Sequence, residues 1–236
     1  MNVEPDVALV SFCLSHPSRS VMLQALMGGI ALPASELAFR AGVSNSTASS
    51  HLAQLMQAGL VHVTTAGRHR YYELSNHKVG QIVEAMSVVA PLRPAKKRST
   101  SISHLRTARL CYDHLAGRLG VKITGKLIEK GALRRENDSF ILSRSGERFF
   151  ESLDIDLSHA RDARRAFAPV CIDWSERLPH LAGALGAALS KQMISNEWVK
   201  RSKDDRSVAV TRSGHKELKA VFGLDWDAES GLIAGV

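Results

Sequence analysis

"VSNSTASSHLAQLMQAGLV" (43–61) joins two unlike halves. The first is crowded with Ser44, Asn45, Ser46, Thr47, Ser49 and Ser50 and carries no charge. Such side chains compete for backbone hydrogen bonds and form helices poorly. The second half sets Leu52, Leu55, Met56 and Leu60 at helical spacing. The spacing predicts one helix from Ser44, its N-cap, to about Ala58, with Gly59 as a left-handed C-cap. Ala48, Leu52, Leu55 and Met56 then face a core. The opposite face presents Asn45, Ser46, Ser49, Ser50 and Ala53.

The surroundings give that helix a setting. Upstream, a short apolar segment from about Pro5 breaks at His16-Pro17, and Ser18 is expected to cap a second helix that Gly28-Gly29 stops. Pro33-Ala34-Ser35-Glu36 opens a third, ended by Gly42. Downstream, strands at Leu60–Thr64 and Arg70–Leu74 flank a basic tip, residues 65–69, and read as a hairpin. Asn76 caps a last helix that ends before Pro91. Helix, helix, turn, helix, hairpin, helix is a winged helix-turn-helix. In that fold the helix from Ser44 lies in the DNA major groove, where short donors and acceptors near its N-terminus meet base edges and phosphates. The expected DNA contacts are Asn45, Ser46, Thr47, Ser49, Ser50, His51 and Gln54, with charge supplied by Arg40, Arg68 and Arg70.

Three segments, 14–26, 35–61 and 67–75, resemble the ArsR/SmtB family of winged-helix repressors in order and spacing. The resemblance covers about residues 5–90. It implies a homodimer paired through the helices at about 5–15 and 76–90, bound to double-stranded operator DNA and released by an effector. Metal-sensing members carry cysteines in the helix before the turn or in the recognition helix. Here residues 33–37 and 44–58 contain none. The expected architecture is mainly α with β-hairpin wings. Residues 1–90 form the DNA-binding and dimerisation domain, 91–104 a basic linker, 105–225 a second domain, and 226–236 a tail.

The second domain contains a repeat. His-Leu-Ala-Gly-x-Leu-Gly opens at His114 and again at His180. Each opening is followed by a helix, a hairpin and a Ser/Thr-Arg-Ser-Gly turn before a final helix. This predicts one supersecondary unit used twice, a degenerate winged-helix-like unit in a pseudo-symmetric pair. The lead-ins, "CYDH" (111–114) and "CIDWSERLPH" (171–180), each hold Cys, then Asp two residues on, then His. The Cys-to-His spacings differ, so the pairs do not read as equivalent positions. Cys111, His114, Cys171, Trp174, Arg177 and His180 are the candidate effector residues, with Asp113 or Asp173 as further ligands. Three readings stay open: a soft metal ion held by thiolate and imidazole, a small-molecule pocket, or a structural role with buried cysteines.

Composition sets bounds. The chain has 236 residues, 44% hydrophobic, and a formal net charge of +8. That charge favours anionic partners. No apolar run approaches the roughly 18 residues of a membrane helix. The first eleven residues, with two acids and no Lys or Arg, do not read as a secretory leader. Three widely separated cysteines suit a cytoplasmic protein. No phosphate loop, Gly-x-Ser-x-Gly or His-Glu-x-x-His occurs, so the expectation is a regulator and not an enzyme. An effector-free architectural DNA-binding protein and, less favoured, an enzyme fused to a DNA-binding domain are the alternatives.

Overall fold

The computed structural model describes residues 4–67, 69–91 and 100–229. They form two compact units that divide between Val83 and Glu84, inside one helix.

In the first unit, α1 (Val7–Ser15) starts at Asp6, whose carboxylate accepts from the Leu9 amide at 2.8 Å. His16 breaks the chain and caps α2 (Pro17–Leu26): its Nδ1 accepts from the Ser18 amide. The cap is therefore His16, not Ser18, because Pro17 lacks an amide and suits the first helical position. A two-residue strand, β1 (Leu32–Pro33), precedes α3 (Ala34–Ala41). Gly42, at φ 64°, turns the chain into α4 (Asn45–Gln57). Ser44 caps it, its hydroxyl accepting from the Thr47 amide at 3.1 Å. Ala48, Leu52 and Leu55 are buried, as are Met22, Leu23, Leu26 and Leu37 of the helices that pack on α4, while Met56 is only half-buried.

The hairpin is longer than its sequence suggests. β2 (Val61–Ala66) and β3 (His69–Leu74) pair from Val61↔Leu74 to Ala66↔His69. β1 pairs with β3 through Leu32↔Tyr72, giving the sheet order β1-β3-β2. The helix α5 (His77–Val89) follows, its first amides bound to the Asn76 side chain.

The second unit runs from Glu84 onward. Residues 92–99 of the expected linker lie outside the described residues, and Thr100–Thr107 is helical (α6). The tail begins with a helical turn, Trp226–Glu229; residues 230–236 also lie outside the description. Between them the repeat is explicit. The first copy is a hairpin, β4 (Arg109–Cys111) and β5 (His114–Ala116), then α7 (Gly117–Glu129), a second hairpin, β6 (Leu133–Glu136) and β7 (Ser139–Leu142), and α8 (Arg144–Glu151). After α9 (Leu157–Asp162), the second copy repeats this order. It consists of β8 (Val170–Ile172), β9 (Pro179–Leu181), α10 (Gly183–Ser195), β10 (Val199–Arg201), β11 (Val208–Val210) and α11 (Arg212–Glu217). Ser143 and Thr211 cap α8 and α11 identically, each accepting from the amide of the glycine three residues on. Each copy is thus the expected helix, wing and helix, preceded by a short hairpin that carries the Cys and His.

The copies embrace reciprocally. The Leu115 amide donates to Ser190 Oγ on α10 at 2.8 Å, and the Leu181 amide donates to Thr124 Oγ1 on α7 at 2.9 Å. Each leading hairpin also bonds to the other copy's wing: Leu110 N to Arg206 O and Phe140 N to Ala168 O. Within each copy the second strand turns tightly into the following helix, because Gly120 of α7 and Gly186 of α10 stand against the strand just before them. A Cβ on Gly120 would lie 2.3 Å from Leu115 O, and one on Gly186 2.5 Å from Leu181 O. One apolar core spans both copies, from Leu110, Leu119 and Phe150 to Leu185, Met193 and Phe222.

Candidate functional site

Two sets of residues carry chemistry, one in each unit. On α4, Asn45, Ser46, Thr47, Ser49 and Ser50 are all exposed. The hydroxyls of Ser49 and Ser50 bond back to the carbonyls of Asn45 and Ser46, at 2.9 and 3.3 Å. Those bonds explain how a serine-rich turn stays helical, and an exposed hydroxyl can exchange such a bond for a base or phosphate. Two expected DNA contacts face elsewhere. Gln54 Oε1 accepts from the buried Arg19 guanidinium at 2.5 Å, which fixes it inside the unit. His51 packs on His16 with ring centroids 4.3 Å apart. Burial first, then the charges of His16 and Arg19, lower its pKa. Arg40 is held by Glu36 one turn away, at 2.7 Å. Arg70 is exposed, its guanidinium 5.8 Å from the Tyr72 ring. Arg68 lies outside the described residues.

The second set forms where the leading hairpins meet. Cys111 pairs in register with His114 across β4–β5, and Cys171 pairs in register with His180 across β8–β9. The two pairs are therefore equivalent, contrary to what their sequence spacing implies. The extra residues 173–178 only lengthen the second hairpin's loop. One ligand atom from each of the four lies within 4.8 Å of the others. The rings of His114 and His180 stack at 5.1 Å. Cys111, His114 and His180 are buried and Cys171 is half-buried.

The electrostatics are those of a closed site. A hydrogen bond with Cys171, then burial, pushes the Cys111 thiol well above its ordinary range. Burial, then the neighbouring His114, drives His180 well below the ordinary imidazole range, so it is neutral. Burial also acts to lower His114, opposed by Cys111 and by the Asp113 carboxylate. Together they outweigh burial and raise its pKa to about 9. Asp113 Oδ1 lies 3.4 Å from His114 Nδ1, and Arg165 clamps the same carboxylate. Both ring nitrogens of His180 and Nε2 of His114 are buried without a hydrogen-bond partner.

The remaining candidates stand outside this cluster. Asp173 accepts from Arg109 at 2.8 Å, the Gly117 amide at 2.6 Å, and the amides and hydroxyl of residues 175–176. Its oxygens are taken, so it is no ligand. Trp174 lies under the Arg109 guanidinium, 4.8 Å from its centre. Arg177 sits in the loop at φ 59°, its amide bonded to Asp173 O. Arg109 itself, fully buried between Asp173 and Glu84, is a residue that reading the sequence missed. A basic residue opening a short strand gives no sign that it will be enclosed.

Among known proteins, a helix-turn-helix domain family matches residues 14–64. The uncharacterized HTH-type transcriptional regulator YdfF of Bacillus subtilis is 42% identical over 214 residues, 90% of this chain and 95% of that protein. The HTH-type transcriptional regulator CmtR of Mycobacterium tuberculosis is 32% identical over 95 residues, 39% of this chain and 80% of that one. Among solved structures, the NMR structure of the cadmium metal-sensor CMTR from Mycobacterium tuberculosis matches at 31% identity and a TM-score of 0.31. That match covers 39% of this chain and 97% of the other. No helix among the described residues is long and apolar enough to cross a membrane. YdfF matches across both units and the first unit is a winged helix-turn-helix, so the chain belongs to the HTH-type transcriptional regulators, as a member of the ArsR/SmtB family.

Proposed function

We propose that the protein is a homodimeric repressor that reads a near-palindromic operator with α4 and is released by an effector taken up at the Cys111–His114–Cys171–His180 centre. The observation that carries the DNA reading is the uncharged, exposed amide and hydroxyl face of the first turns of α4, at the positive end of the helix dipole. Asn45, Ser46, Thr47, Ser49 and Ser50 are assigned to bases and nearby phosphates. Arg68 and Arg70 are assigned to phosphates from the wing. His51 and Gln54 are not included, since the His51 ring packs on His16 and Gln54 Oε1 is taken by Arg19. Pairing through α1 and α5 is supported by exposed apolar side chains on both, among them Phe12 at 58% and Val89 at 82%. A two-fold axis sets two recognition helices about one DNA turn apart. Such a regulator works in the cytoplasm, on the chromosome, and without catalysis.

The test is selection of genomic fragments with the purified chain, followed by footprinting. A short protected palindrome is the expected result. Protection spread broadly over unrelated fragments would instead mark an architectural protein and overturn the operator reading.

A further inference from the structure

We propose that Cys111, His114, Cys171 and His180 bind one soft divalent metal ion of the Zn²⁺/Cd²⁺ class in a closed, four-coordinate site, and that this ion is the repressor's effector. The second half rests on the DNA-binding reading above; the first half does not.

Geometry comes first. Tetrahedral Zn–S and Zn–N bonds place neighbouring ligand atoms roughly 3.3–3.8 Å apart. Here the four lie within 4.8 Å, so the widest gap closes by roughly 1 Å. All four side chains sit on short hairpins held by the reciprocal bonds to Thr124 and Ser190. The imidazole nitrogens are also short of partners. A buried polar atom without a hydrogen bond is costly, and three such nitrogens meet here. An ion bound by one nitrogen of each ring satisfies two of the three. The surroundings are those of a ligating histidine: one nitrogen of His114 faces Asp113, which Arg165 fixes in turn, leaving Nε2 for the metal.

The donor set fixes the class of ion. Two sulfurs and two imidazoles suit Zn²⁺ or Cd²⁺ and not Mg²⁺ or Ca²⁺, which take oxygen. Two thiolates also cancel the ion's charge, which suits burial. Asp173 adds no fifth ligand, because its oxygens are already bound. The void between α7 and α10, lined by Leu115, Thr124, Leu181 and Ser190, has room for about one water.

The experiment uses the full chain, reduced and stripped with a chelator, and titrated with Co²⁺. The expected result is the intense visible spectrum of tetrahedral cobalt with thiolate charge transfer, saturating at one ion per chain and abolished by Zn²⁺ or Cd²⁺. Asp113→Asn should weaken binding about 10–100-fold, and Cys171→Ser and His180→Gln by more. Cys13→Ser, in the other unit, should change nothing. An octahedral spectrum, no uptake, or uptake unchanged in Cys171→Ser overturns the site. The wild-type spectrum decides even where a variant fails to fold. Affinity for a selected DNA fragment is then compared with and without Zn²⁺ or Cd²⁺. A change of about tenfold or more is expected, and equal affinity overturns the effector assignment. Loss of DNA binding in both forms defeats the operator reading and leaves the cobalt result standing.

Discussion

Asp113 and Asp173 each follow a cysteine by two residues and do different work. Asp113 orients His114. Asp173 ties the second hairpin to Arg109 and to the first amide of α7. Burial would raise the Asp173 carboxyl, but Arg109 and the hydrogen bonds from Ser175, Glu176 and Gly117 hold it down at about 2, against an ordinary 3.8. A folded-state pKa below the unfolded one stabilises above the unfolded value and is lost as pH falls through the folded one. The metal-free chain should therefore lose about 2 kcal/mol between about pH 4 and pH 2 from this group. Acid denaturation checks it: Asp173→Asn should be less stable at neutral pH and flatter across that window. On α4, Asn45→Ala or Ser49→Ala should cost roughly 1–3 kcal/mol on the operator and little on random DNA. Equal losses on both would mean that this face does not read sequence. The α4 hydroxyls were legible because their pattern is local. Gln54 was not, since its partner Arg19 is 35 positions away and the spacing around Gln54 looks the same whichever way it faces.

At the scale of elements, turns and caps could be read and crossings could not. Ser44, Asn76, Ser143 and Thr211 announce helix starts by their own chemistry, and each does cap. What Gly120 and Gly186 meet depends on strands several residues away. Gly186→Ala would set a Cβ 2.5 Å from Leu181 O, a backbone atom that cannot swing aside. The second unit should lose about 1–3 kcal/mol, read as a lower urea midpoint; an unchanged midpoint would mean that α10 has slack. A second crossing is ionic. Arg109 lies buried between Glu84 and Asp173, and the partly buried Arg206 reaches Glu84 at 3.2 Å, so two cations and two anions share one largely enclosed site. Removing one partner from such a group costs about 3–5 kcal/mol because the rest stay buried and charged. Glu84→Gln should show a loss of that order in thermal unfolding.

For the whole molecule, Arg70→Ala should lower affinity on every DNA sequence and flatten the salt dependence by about one counterion. An unchanged slope would free the wing of that role. The repeat was legible because seven residues recur nearly unchanged at 114 and 180. The equivalence of its Cys–His pairs was not, because a longer loop moves the second histidine along the sequence without moving it across the ladder.

That ladder has a historical consequence. Each repeat contributes the same two ligands from the same register, along with one helix hydroxyl for its neighbour. A chain with a single copy would hold half a centre, and two such chains facing each other would complete it. The four-ligand site therefore needs no separate invention for each half. A duplication that fused a symmetric pair would have inherited it whole, after which one loop was free to lengthen and the two aspartates to diverge.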